Sequence, residues 1–185
     1  MLEESEVAQT NPSKDKTMRF MRLVLSAILT ISWLSSARAE TFQQPVGKPI
    51  LTISGNISKT NADGVARFDR DMLEGLGLVT VKTHSPWYDG ITRFEGVSLS
   101  KLMKFVGAKG TTVTAVALND YVSTIPMADF DKFNVILAMK RDGNYMEVRE
   151  KGPLFVIYPY DTVPELQTQT YYTRSAWQVA KLIIN

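Results

Sequence analysis

The chain has 185 residues, 44% hydrophobic and 22% charged, with 11 Gly, 8 Pro and no Cys. That is the composition of an ordinary globular domain that closes a core without disulfide or structural metal. The missing cysteine excludes a disulfide framework, Cys-ligated zinc, iron–sulfur clusters and a thiol nucleophile; the lone histidine, His84, excludes a metal site built on two imidazoles; and a net charge of +2 is too weak to drive nucleic-acid binding by counterion release.

At the N-terminus, Met18-Arg19-Phe20-Met21-Arg22, the apolar run 23–34 and Ser35-Ser36-Ala37-Arg38-Ala39 read as the basic, apolar and A-x-A parts of a secretory signal peptide cleaved after Ala39. The apolar run of 12 residues falls short of the roughly 20 that a membrane-crossing helix needs, so no stable membrane span is expected after cleavage. Residues 1–17 are polar, precede an internal Met18 and suit an over-extended start. The expected organisation is an N-terminal extension and signal peptide over 1–39 and one domain over 40–185. A cysteine-free exported domain fits the periplasm.

Residues 41–49 read as an extended arm. Residues 50–55 alternate, are β-branched and stop at Gly-Asn, which predicts a strand ending in a turn. Asn61-Ala62-Asp63-Gly64 is a second turn and 65–68 a short strand. Asp69 is placed to cap a brief helix over 70–76, ended by Gly75 and Gly77, before a strand over 78–83. Pro86 and Gly90 predict a loop over 84–90, followed by a partly extended 91–97. Ser98 caps a helix over 99–106, whose Leu99, Leu102, Met103 and Val106 fall at i, i+3, i+4 and i+7. Strands are expected over 113–118 and 121–125, with a turn at Asn119-Asp120, then a helical turn over 129–133. A buried strand over 134–140 leads into an Asp142-Gly143 hairpin turn. The most apolar strand is 154–158. The last runs over 176–184, with Trp177, Val179, Lys181 and Ile183 on one face. Many short strands with few helices predict an α+β fold.

Four segments carry more polar and aromatic residues than a core needs. Lys82 to Gly90 holds His84, which suits a surface or satisfied role as well as a ligand contact. Asn119 and Asp120 suit either an Asx turn or a ligand contact. In Arg149-Glu150-Lys151-Gly152-Pro153 the two cations could hold an anion and Gly152 admits close backbone approach, although a solvated hairpin shoulder has the same composition. In the fourth, Tyr172-Thr173-Arg174-Ser175-Ala176-Trp177, Arg174 could pair with Asp161 or Glu165. None forms a catalytic triad, a paired-carboxylate site or a phosphate loop.

The ordered series Trp87, Phe94-Glu95-Gly96-Val97-Ser98-Leu99, Ala117-Leu118-Asn119-Asp120-Tyr121, Ile125-Pro126, Lys151-Gly152-Pro153-Leu154, Tyr158-Pro159-Tyr160-Asp161 and Arg174-Ser175-Ala176-Trp177-Gln178 resembles the molybdopterin-binding domain of the sulfite oxidase family, above all its small exported members. The resemblance implies a sulfite-oxidase-like α+β fold of strand-dominated mixed sheets with few short helices, a molybdopterin cofactor and an oxidoreductase activity. It implies a cofactor cleft at His84, Ser85, Trp87, Arg93, Asn119 and Asp120, and also at Tyr121, Arg149, Lys151, Gly152, Tyr160 and Arg174. Lys82, Arg93, Arg149, Lys151 and Arg174 are the cations it offers to a pterin phosphate. Catalytic members hold molybdenum with one cysteine from the loop before the tryptophan, and Lys82-Thr83-His84-Ser85 stands there instead. A Ser85 alkoxide or a His84 nitrogen could take that place, but neither donates charge as a thiolate does. Arg19 and Arg22 do not form a twin-arginine pair, which points to export unfolded and not with a cofactor loaded. The alternative is a cofactor-free periplasmic module that binds a small-molecule ligand or a partner protein on the same fold.

Overall fold

The computed structural model describes residues 40–185; the expected extension and signal peptide over 1–39 lie outside the described residues. Strands β1 (Glu40–Thr41) and β3 (Lys59–Thr60) form a small parallel pair. One five-stranded sheet has the order β4 (Ala66–Phe68), β2 (Leu51–Gly55), β12 (Val179–Ile184), β7 (Thr112–Ala117) and β8 (Val122–Pro126). Within it β12 runs parallel to β2 and antiparallel to β7. The second sheet is antiparallel: β10 (Asn144–Tyr145), β9 (Ile136–Arg141), β6 (Tyr88–Ser98) and β5 (Leu78–Ser85), with β11 (Phe155–Ile157) sharing the outer edge of β9 with β10.

The helices are short: α1 (Arg70–Gly75), α2 (Leu99–Phe105), α3 (Ala128–Lys132) and α4 (Gln169–Arg174). Among the described residues no helix is long and apolar enough to cross a membrane. Asp69 caps α1, with Oδ1 accepting from the Met72 amide at 2.9 Å, while Oδ2 accepts from Gly47 at 2.7 Å and ties the entry arm to the helix. Ser98 caps α2 by accepting from the Lys101 amide at 3.3 Å. Each cap satisfies an amide that has no partner within its own helix.

Two apolar layers hold the sheets. The larger joins Leu51, Ile53 and Leu182 of the first sheet to Leu99 and Leu102 of α2 and to Leu137 and Val156 of the second. The smaller lies on the opposite face of the second sheet, where Val81, Phe94, Ile136, Ala138, Phe155 and Ile157 pack under Trp87, Tyr88 and Trp177. Strands β9 and β11 are therefore buried on both faces, which is why they read as continuous apolar runs.

Three expectations change. The loop expected over 84–90 is a hairpin: Ser85 pairs with Tyr88, so only Pro86 and Trp87 connect β5 to β6. Pro86 sits where no ladder amide is required, and Gly90, at φ +69°, lies where the register shifts between Thr83 and Ser85, so the ladder is interrupted there and resumes at the tip. The last strand begins at Val179, with Trp177 making an isolated bridge to Phe155. A register shift between Val179 and Lys181 breaks the expected alternation, and the buried residues are Val179, Leu182 and Ile184.

Candidate functional site

The tip of the β5–β6 hairpin is where the chemistry collects. Trp87 folds back so that its ring meets Phe155, Tyr160, Tyr172 and Trp177 edge-on, the first at 5.1 Å and the others at 6.0 Å between centroids. That packing fixes His84 and Ser85 against the segment that follows β11. There the His84 backbone N–H and its Nδ1 both donate to Asp161 Oδ2, at 2.8 and 2.9 Å. The Asp161 amide returns a bond to Thr83 Oγ1 at 3.1 Å, and Thr83 is fully buried. The His84 amide is the chief reason that the Asp161 carboxyl is held below its usual range.

This lock forms one wall of a cavity of about 420 Å³ lined by His84, Ser85, Pro86, Tyr160, Asp161, Gln167 and Tyr172. Tyr160 is buried; its hydroxyl meets Ser175, and burial pushes the phenol well above its ordinary range. Gln167 Nε2 donates to the Tyr160 carbonyl at 3.2 Å. Ser85 Oγ is buried with no hydrogen-bond partner. An ionised carboxylate can only accept, so Nδ1 of His84 carries the shared proton; Nε2 is an acceptor when the ring is neutral and a donor when it is protonated.

Three expected site residues, His84, Ser85 and Tyr160, thus meet at one cavity, with Trp87 packed behind it. A second group gathers next to it around Trp177. Asn119 Oδ1 accepts from the Tyr121 amide at 3.3 Å in an Asx turn, with Asp120 at φ +63°; the Tyr121 ring lies parallel to Trp177 at 6.2 Å, and Lys151 Nζ stands 4.8 Å from the Trp177 ring centre. Gly152 lies against the Met146 carbonyl, where a Cβ would have no room; its smallness serves the packing of its own chain.

The remaining arginines point elsewhere. Arg93 pairs with Glu95 at 3.0 Å beside the Asp142-Gly143 turn. Arg149 pairs with Glu147 at 2.9 Å and lines a different hollow, with Arg141 and Glu150. Arg174 was expected to meet Asp161 or Glu165, but its Nη1 donates to Asp129 Oδ2 at 2.8 Å, the same oxygen that accepts from the Tyr158 hydroxyl at 2.8 Å. Glu165 is already taken by Lys132 at 3.0 Å and by the Tyr171 hydroxyl at 2.7 Å, and Asp161 by His84. Pro86, Asp161, Gln167 and Tyr172 line the cavity without having been expected there. Asp161 and Tyr172 had a signal, since one ends the Tyr158-Pro159-Tyr160-Asp161 run and the other opens the polar and aromatic segment from Tyr172 to Trp177, whereas Gln167 had none.

The donor set can be tested against a thiolate-held molybdenum–pterin group. No cysteine exists to ligate the metal, and among the described residues no group of three or more His, Asp or Glu side chains could hold a metal ion. Among the described residues no Lys or Arg lines the cavity, and its wall carries the Asp161 carboxylate, which opposes a phosphate. Three of the five offered cations are neutralised in ion pairs away from the cavity. The residues present do not fit that group.

No protein-family model matches the sequence, and no curated protein matches it. Among solved structures, sulfane dehydrogenase SoxCD from Paracoccus pantotrophus matches 72% of this chain at 19% identity with a TM-score of 0.53, and the match spans 37% of the length of that chain. This likeness shows the fold, an α+β arrangement of strand-dominated mixed sheets of the sulfite-oxidase-like kind.

Proposed function

We propose that the chain is an exported periplasmic protein built on the molybdopterin-binding-domain fold of the sulfite oxidase family, in which the cleft is retained as a small-molecule binding site. In this reading it does not carry out thiolate-dependent molybdenum chemistry. The observation that carries the reading is the cavity itself. It lies at the 82–85 stretch, where the resemblance puts the metal-ligating cysteine, and it presents an imidazole, a carboxylate and two tyrosines with no thiolate and no cationic anchor. Such a wall can orient a ligand by hydrogen bonds and ring contact.

The test is molybdenum and pterin analysis of the protein purified from a host able to make the cofactor, beside a thermal-shift screen of small cations, neutral compounds and anions. The expected result is substoichiometric molybdenum and pterin with a rise in melting temperature for at least one small compound. Stoichiometric molybdenum and pterin would overturn the reading, as would a screen in which nothing binds.

A further inference from the structure

We infer that the cavity between the β5–β6 tip and Asp161 selects a protonated amine, a small organic ammonium with N–H donors. The inference rests on the ligand-binding reading above and names its ligand class.

The polar wall offers acceptors. Asp161 Oδ2 takes both donors of His84 and the Thr83 side chain also stands by the carboxylate, whereas no hydrogen bond of the described residues is assigned to Asp161 Oδ1. His84 Nε2 likewise has no partner among the described residues, and with the proton held at Nδ1 it is an acceptor whenever the ring is neutral. The Asp161 side chain is 36% exposed and that of His84 61% exposed, so both acceptors can be reached from outside. Two acceptors on one wall call for a ligand with at least two N–H donors.

Charge selects further. Among the described residues Asp161 is the one acidic residue of the lining and no lysine or arginine balances it there, so the wall favours a cation and repels sulfite, sulfonates and phosphates. The tyrosines Tyr160 and Tyr172, with ring centroids 5.5 Å apart, line the same cavity. An aromatic face attracts an ammonium, and the apolar part of the rings accepts a short alkyl chain. At about 420 Å³ the space admits such a compound with room left for a larger substituent.

The experiment uses calorimetry and thermal shift on the full chain with propylammonium, tetramethylammonium, propanol and sulfite. Propylammonium should bind most tightly; tetramethylammonium, which has no N–H, should bind more weakly, and propanol and sulfite at least tenfold more weakly. Asp161→Asn should weaken propylammonium at least tenfold, and His84→Ala several-fold with the carboxylate left in place. His84→Ala also covers the case in which Asp161→Asn unfolds the tip. Propanol or sulfite binding as tightly as propylammonium would overturn the ammonium assignment and leave the binding-site reading standing. So would two folded variants with wild-type affinity. Failure of all four probes together with an empty wider screen would remove both.

Discussion

The buried contact between Asp129, Tyr158 and Arg174 gives the sharpest test of how the described fold is held. Asp129 Oδ2 accepts from a wholly buried tyrosine hydroxyl and from an arginine whose side chain is one-quarter exposed, and so joins α3, the segment after β11 and α4. Asp129→Ala removes both bonds at once. The Tyr158 hydroxyl, left without an acceptor where water does not reach, should cost about 1–3 kcal/mol. The Arg174 guanidinium can turn to solvent, so its loss adds only about 1 kcal/mol. The sum, about 2–4 kcal/mol, should lower the melting temperature by roughly 6–12 °C for a domain of this size. Tyr158→Phe removes the donor but leaves the ion pair, and should cost about 1 kcal/mol. The double variant should be less destabilised than the sum of the singles, because the orphaned hydroxyl is gone. Urea unfolding followed by circular dichroism measures all three; Asp129→Ala within 1 kcal/mol of wild type, or strict additivity, would refute the argument.

Other perturbations probe separate links. Gly96→Ala should destabilise by several kcal/mol or prevent folding, because a Cβ there would run into the Leu137 carbonyl and the Ala138 Cα where β6 and β9 shift register; soluble expression and melting temperature report it. Ser85→Ala should leave stability unchanged or raise it by up to about 1 kcal/mol, since it removes a buried hydroxyl without a partner; a loss in thermal melting would mean that the hydroxyl is satisfied. Asp69 titrates below its ordinary value chiefly because the Met72 amide, and then that of Gly47, donate to its carboxylate. A depressed folded value means that its stabilisation is complete above the unfolded carboxyl value of about 3.9 and is lost as pH falls through the folded one. Urea midpoints at pH 6 and pH 3 should differ less for Asp69→Asn than for wild type.

What could be read from the sequence follows the range of the interactions. Asp69 and Ser98 act on amides three residues away, and Asp142-Gly143 closes a two-residue turn with both φ values positive, so each announces itself locally. Helix α4 is hidden because Thr170, Tyr171, Tyr172 and Thr173 favour extended backbone; the burial of Tyr171 and the bond from Ser175 to its carbonyl hold it helical instead. The site was half legible. His84, Ser85 and Tyr160 stand in segments rich in polar and aromatic residues, but the Asp161–His84 bond spans 77 positions and no local pattern encodes it. The arginines misled for the same reason: Arg174 finds Asp129 across 45 positions, and sequence proximity favoured nearer carboxylates.

The position of β12 between β2 and β7 has a consequence for how the chain reaches its native state. Residues 179–184 supply the middle of the first sheet, so β2 and β4 cannot join β7 and β8 until these residues are free to pair. The first sheet can therefore close only after residue 184 has been made, and pairing between β2 and β12, more than 120 positions apart, belongs to the slow class of chain closures. In refolding followed by hydrogen exchange, the amides of β2 and β12 should gain protection later than those of the β5–β6 hairpin.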